Sequence, residues 1–258
     1  MNASGNYVTD LNLRARQNIW GYAPTAPLFT RVLDLVGLSG AERVVDVGCG
    51  NGVYLAGLRR MGHRGPVLGL DLSPGMAATA RDASGLPTAV ADAQRLPVAT
   101  GAADVTLAPH MLFHVPDIPL ALRELRRITA PGGLAMIVTN DEDHTVEIGA
   151  LLSAVTTDLL GRPVTTAWDG HRFRRPEADR LLPAVFPSVT RHDLRAVSEV
   201  PSAAAIRAFL ESLPTSALDI PPADRSSVLS EVETRAAAVI ASHGSFPVTG
   251  SPVAYICR

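Results

Sequence analysis

VVDVGCGNG, residues 44–52, decides the fold. Three valines around Asp46 favour an extended strand, because a branched β-carbon packs well on a pleated surface. The strand runs into a tight turn of Gly48, Cys49, Gly50, Asn51 and Gly52. A helix follows, with Leu55 and Leu58 one turn apart on its inner face. Small residues at the carboxyl end of a strand let the backbone approach a ligand closely. A dinucleotide fingerprint would place a third glycine where Val53 stands, which counts against a hydride-transferring enzyme.

Outward from that turn the pattern alternates. Strands are predicted at 43–47, 67–71, 88–91, 104–108 and 134–138, with helices between them. Ser73 followed by Pro74 is a favourable helix start. The helix after Asp117 carries Leu122, Leu125 and Ile128 on one stripe and ends before Pro131-Gly132-Gly133. Apolar strands alternating with amphipathic helices predict an α/β fold: a doubly wound, Rossmann-like sheet, mostly parallel and covered on both faces. Ahead of it, 8–22 and a stretch after Pro27 ending at Gly37 read as helices, the first capped by Thr9 or Asp10. Beyond Asn140 the rhythm changes. Helices are predicted at 144–160, 176–184, 202–213 and 223–242, an irregular stretch at 161–175, and strands at 190–200 and 252–258.

Composition limits the function. The 258 residues carry a formal net charge of −2, with 47 % hydrophobic and 19 % charged residues, so a globular chain is expected and nucleic acid is a poor partner. All 23 basic residues are arginine, which excludes Schiff-base and phosphate-loop lysines. Cys49 and Cys257 are too far apart in sequence to suggest a disulfide framework or a metal site. The first residues, MNASGNYVTD, lack a secretory pattern, and no apolar run is long enough for a membrane span. Cytoplasm is the expected compartment. Oligomeric state is not legible.

Two further carboxylates fall at strand ends. Asp71, in GLDLSPGM (residues 69–76), lies about one βα unit after the glycine turn, where an acid meets the hydroxyls of an unphosphorylated ribose. Asp92, in VADA (residues 90–93), could accept from an exocyclic amine, and the Ala93 N–H could serve a ring nitrogen.

These motifs together resemble the class I S-adenosylmethionine-dependent methyltransferases of small molecules. The resemblance runs from about residue 43 to 140. VVDVGCGNG is similar to the family's first motif, Asp71 to its ribose acid and residues 91–93 to its adenine turn. ADVTLAPHMLFHVPD (103–117) is similar to its fourth-strand motif, and LRELRRITAPGG (122–133) to the helix and turn before the fifth strand. Pro109 departs from the polar residue that relatives often carry.

The resemblance implies the following roles. Gly48 and Gly50 pack against the methionine portion and Asp46 orients its amino group. Asp71 binds the ribose and Asp92 and Ala93 the adenine. Cys49, Leu72 and Met76 belong to the cofactor contacts, and Pro109 and His110 border the methyl. Tyr7 or Arg14 closes over the methionine carboxylate. The family's sheet ends in an antiparallel strand pair, which 190–200 and 252–258 could supply. One domain is expected: N-terminal helices (1–40), a cofactor core (41–140), a helical cap (141–187 and 201–242) and the last strands (188–200 and 252–258).

His114 is the first candidate for a general base and His110 the second, on one face of a helix at i, i+4 spacing; each could equally be packing or capping. Asp46 could simply brace the turn, and Cys49 could be a small filler. Asn140, Asp141 and His144 follow a strand's carboxyl end, where open sheets place ligands. Residues 171–175 (HRFRR) could hold an acidic substrate or form a solvated loop; Trp168 and Phe173 could line an acceptor pocket or pack. The acceptor is expected to be a small molecule, methylated on O, N or C, with secondary metabolites among the candidates. A nucleotide-cofactor oxidoreductase, or a cofactor binder without methyl transfer, are the alternatives.

Overall fold

The structure is a computed structural model that describes residues 9–165 and 172–258. In chain order the elements are α1 (Leu11–Asn18), α2 (Leu28–Val36), β1 (Val44–Val47), α3 (Val53–Arg60), β2 (Val67–Asp71), α4 (Pro74–Ser84), β3 (Thr88–Val90), β4 (Ala103–Pro109), α5 (Ile118–Ile128) and β5 (Thr129–Asn140). There follow α6 (Val146–Leu160), α7 (Arg175–Leu181), β6 (Val189–Asp193), β7 (Ala196–Val200), α8 (Ala203–Glu211), α9 (Arg225–His243), β8 (Phe246–Gly250) and β9 (Pro252–Cys257).

Local chemistry sets the helix starts. The Ser73 hydroxyl accepts from the Met76 N–H at 3.2 Å, with Pro74 opening α4. The Asp117 carboxylate accepts from Leu120 N–H at 2.9 Å and starts α5. Along α5, Leu122, Leu125 and Ile128 are buried while Arg123 is exposed.

Seven strands form one sheet in the order β3-β2-β1-β4-β5-β9-β6. β1 to β5 run parallel, and β9 is antiparallel to both β5 and β6. The strand order reverses between β1 and β4, which opens a crevice at the strands' carboxyl ends. Alternating side chains feed two cores. Val45, Val47, Ile137 and Tyr255 join α5 and α7 on one face. Val44, Met136, Val138 and Ile256 join α2 and α3 on the other.

A third core lies outside the sheet. It unites α6, α8 and α9 through Leu152, Phe209, Leu210, Val228 and Val232, with Val200 and Val248 from the β7–β8 pair. Among the described residues no helix is long and apolar enough to cross a membrane.

Several expectations change. The strand predicted at 190–200 is two strands in different sheets: β6 pairs with β9, and β7 pairs with β8, which the sequence reading did not foresee. The break falls at Leu194 and Arg195, opposite Ser251; the ribbon bends there, held by Leu194 N–H to the Pro252 carbonyl at 2.8 Å. The first helix is shorter than 8–22: α1 gives way to a 3₁₀ turn over Ile19–Tyr22. Asp10 makes no cap hydrogen bond, because its carboxylate takes Arg14 instead. His114 does not lie on the first turn of a helix. It closes a 3₁₀ turn, Leu112–His114, because Pro116 holds Val115 extended and α5 begins only at Ile118.

Gly52 shows how tightly the turn is built. Its φ is +81°, and an added β-carbon would lie 2.8 Å from the Ala80 Cα of α4. Gly52→Ala is expected to lower stability by about 2–4 kcal/mol, from backbone strain plus overpacking. Gly62, at φ +79° with open space around it, is the control; its alanine variant should lose only about 1–2 kcal/mol. Urea denaturation of both variants measures the difference, and equal losses would mean that α4 yields at Ala80.

Candidate functional site

A cavity of about 1390 Å³ opens along the carboxyl edge of the sheet. That exceeds the roughly 300–1,000 Å³ typical of a pocket for one drug-sized ligand.

Under the glycine turn, Asp46 is fully buried and neither carboxylate oxygen has a hydrogen-bond partner among the described residues. Burial first, and the nearby Asp71 second, push its pKa up to about 8. The Tyr54 hydroxyl, in the cavity wall, is likewise buried and unpartnered, and burial with Asp46 nearby pushes its pKa up. Buried polar groups without partners cost stability unless a ligand satisfies them. Gly48, at φ +71°, keeps the floor open; a β-carbon there would come 2.5 Å from the Met111 side chain.

Asp71 sits at the end of β2 in the cavity wall. One oxygen accepts from Gly50 N–H at 2.9 Å and the other from Ser73 N–H at 2.8 Å. Each carboxylate oxygen can accept more than one bond, so capacity for ligand hydroxyls remains. Burial raises its pKa, against these lowering contacts. Asp92 is held by Gln94 N–H at 2.9 Å and lines the wall next to the buried Ala93. Cys49, Leu72, Met76 and Pro109 line the same cavity; Leu72 is mostly exposed on its rim and Met76 is buried. Burial pushes the Cys49 thiol up, with Asp46 and Asp71 adding to it.

Three histidines line the space beyond β4. His110 has a left-handed φ of 54°, and burial lowers its pKa to about 4. His114 is lowered to about 4 by burial and by the positive Arg16. His144 is lowered to about 3 by burial, then by His110 and Arg174. All three rings are therefore neutral near pH 7.

Some assignments move. Arg14 is exposed, bonded to Asp10 and absent from the cavity wall. At about 100° per residue, Leu13, Arg16, Gln17 and Trp20 share the inner stripe of α1 and its 3₁₀ extension, while Arg14 points away. Arg16 is buried there, donating to the Ser212 carbonyl at 2.7 Å. That i, i+3, i+4, i+7 stripe was the signal available in the sequence. Phe173 is a core residue and not a pocket wall. Asp141 binds Arg175 at 2.7 Å outside the cavity, whereas Asn140 and His144 line it. Tyr7, Trp168 and His171 lie outside the described residues.

The methyltransferase-domain family profile matches residues 45–137. A malonyl-[acyl-carrier protein] O-methyltransferase of Serratia marcescens is 32 % identical over 120 residues, 46 % of each chain. The chain spans about half the length of the curated relatives it matches. An S-adenosylmethionine-dependent methyltransferase structure from Thermotoga maritima superposes with a TM-score of 0.55 at 14 % identity, covering 98 % of this chain and 97 % of that one. The [4+2]-cyclase SpnF superposes at 0.55 and 18 % identity, covering 96 % and 93 %. At such identities the structural matches establish the fold.

The isolated Asp46 has a thermodynamic signature. Its pKa rises from about 4 unfolded to about 8 folded, so the folded state holds the extra proton between those values. Stability is expected to fall as pH rises through that window. The three histidines act oppositely, adding stability as pH rises, but only up to their unfolded pKa of about 6.5. Between about pH 6.5 and 8 the Asp46 contribution should stand out as a falling melting temperature. Asp46→Asn should flatten that segment; a slope unchanged by the substitution would place the proton elsewhere.

Proposed function

We propose that the protein transfers a methyl group from S-adenosylmethionine to an O, N or C atom of a small molecule, a reading that the match of residues 45–137 to the methyltransferase-domain profile supports. One observation carries this reading. The cavity has a carboxylate end, with Asp71 after β2 and Asp92 after β3, and a neutral-histidine end beyond β4, and it has volume for a cofactor and an acceptor together. S-adenosylmethionine, when bound, supplies a methyl carbon already activated by its positive sulfur.

The chain's own residues then position the partners. The Asp46 oxygens lie beneath the wall and lack partners among the described residues; they would accept from the ligand's ammonium group, which would draw the carboxyl into its ionised form. Gly48 and Gly50 admit the methionine portion, flanked by Cys49. Asp71 accepts from the ribose hydroxyls, and Asp92 with the Ala93 N–H reads the adenine. Leu72 and Met76 flank the adenosine. Arg16, in place of Arg14, faces the methionine carboxylate. Pro109 and His110 border the transferring methyl.

Transfer needs an acceptor atom held in line near attack distance, in a site from which water is excluded. The helices of the third core serve as the acceptor-side cap. His114, with His110 as the alternative, would take up the acceptor's proton as the acceptor bonds to the methyl carbon and that carbon's bond to sulfur breaks, the electron pair leaving with the sulfur. A neutral ring keeps its lone pair available down to about pH 4.

S-adenosylhomocysteine should raise the melting temperature while NAD does not. Asp71→Ala and Arg16→Ala should each weaken its binding by about tenfold or more, through loss of charge-assisted hydrogen bonds. Arg14→Ala should leave it unchanged. Calorimetry on folded variants checks all three, and equal affinities throughout would remove the assigned contacts. The activity itself is tested by incubating candidate acceptors with S-adenosylmethionine and weighing the products for one added methyl.

Once an acceptor is in hand, His114→Ala should lower kcat by about 10²–10⁴ at unchanged cofactor affinity. The acid limb of the wild-type pH profile should fall near pH 4, the value for the buried ring. A limb at the ordinary histidine value would mean that a solvent-exposed group takes the proton.

A further inference from the structure

At the carboxyl end of β5, the cavity wall holds polar groups that the cofactor contacts do not use. Asn140, His144 and Arg174 all line it. The Asn140 side-chain oxygen is buried and has no hydrogen-bond partner among the described residues. Asn140 and Arg174 are joined by a parallel backbone bridge, which fixes the arginine beside the strand end. Arg174 also donates to the Glu142 carbonyl at 3.2 Å.

His144 is oriented from two sides. Its ring packs on Trp20 with centroids 5.1 Å apart, and its Nδ1 accepts the Ser251 backbone N–H at 3.2 Å. An imidazole that accepts at Nδ1 and is neutral carries its proton on Nε2, so this histidine is a hydrogen-bond donor to the cavity. It is not a candidate base.

The loop that carries these residues reads Asn140-Asp141-Glu142-Asp143-His144, which looks acidic in sequence. Ion pairs hold Asp141 and Asp143, while Glu142, Glu177 and Asp141 act on Arg174 from outside the cavity. Asp141 bonds Arg175 at 2.7 Å, Asp143 bonds Arg195, and none of the three acids lines the cavity. Among the described residues the carboxylates in the cavity wall are Asp71 and Asp92, both on the β2–β3 side. β5 lies on the other side of β1, beyond β4.

We infer that Asn140, His144 and Arg174 form an anion-reading wall, and that the methyl acceptor carries a carboxylate or an equally anionic oxygen that docks there. This rests on the proposed methyl transfer and names the class of molecule that fills its acceptor end. Arg174 supplies the charge and the His144 Nε2–H a directed donor; the Asn140 amide, turned so that its N–H rather than its oxygen meets the anion, would add a second donor. Apolar neighbours such as Trp20 and Phe209, also in the cavity wall, suit an aromatic or hydrocarbon body.

The full-length protein saturated with S-adenosylhomocysteine is titrated by calorimetry with naphthalene-2-carboxylate, naphthalene-2-carboxamide and 2-naphthylmethylammonium. The carboxylate should bind about tenfold or more tighter than either analogue, as a charge-assisted contact requires. Arg174→Gln should bring the three to similar affinities while S-adenosylhomocysteine binding holds. His144→Phe, which keeps the stacking on Trp20 but removes the donor, should weaken the carboxylate selectively. Equal binding of the three probes to the wild type, binding of none, or a preference that survives Arg174→Gln overturns the inference. Those results with intact S-adenosylhomocysteine binding leave the cofactor assignment standing; failure of S-adenosylhomocysteine itself to bind overturns both.

Discussion

The structure depends on one constraint: within five residues, three glycines must hold left-handed backbone. Gly48, Gly50 and Gly52 have φ of 71°, 54° and 81°. L side chains rarely adopt this region, and a β-carbon at Gly52 would strike the α4 backbone. The turn delivers β1 into α3 with the Gly50 N–H on Asp71 and the Gly48 N–H on the Leu70 carbonyl at 2.7 Å. It thereby ties the first two strand ends together and leaves Asp46 sealed beneath them. Without this geometry the cavity would have neither floor nor corner.

Electrostatics divide the cavity along the strand order. Asp71 and Asp92 stand towards β3, and burial makes Asp71, with Asp46 beneath the wall, costly to ionise without a cationic ligand. Towards β5 and β9, arginine and neutral imidazole take over. The field therefore runs across the crevice, and a bound cation at one end and an anion at the other would each be matched. Dehydration acts on both sets. It raises the carboxyl pKa of Asp46 and lowers those of His110, His114 and His144, so the empty site holds fewer charges than its sequence implies.

The core was legible because it obeys simple periods. Val44 and Val45 alternate between faces, Leu55 and Leu58 sit one turn apart, and Ser73-Pro74 announces a helix. Asp71 and Asp92 could be placed from strand ends alone. What escaped was phase and direction. Arg16 rather than Arg14 lines the cavity, a matter of helical phase that Leu13 and Trp20 carry. The bend at Leu194 carries no turn signature, so 190–200 read as one strand. That the Asn140 side-chain oxygen lacks a partner among the described residues is a tertiary fact, created by the neighbours that surround it. The acidity of 141–143 misleads for the same reason, since Arg175 holds Asp141 and Arg195 holds Asp143.

The bent ribbon has an architectural consequence. β7 and β8 pair Val200 with Phe246, so the 45 residues between them start and finish on adjacent strands. Both strands then cross into the main sheet side by side, as β6 and β9. The excursion holding α8 and α9 is topologically an insertion on a closed stem, and chain breaks at such paired ends disturb little elsewhere. Lineages or designers could exchange that segment for another of different shape and leave the glycine turn untouched. Recognition would then diversify in a replaceable cassette, while the chemistry stayed with the strands beneath it.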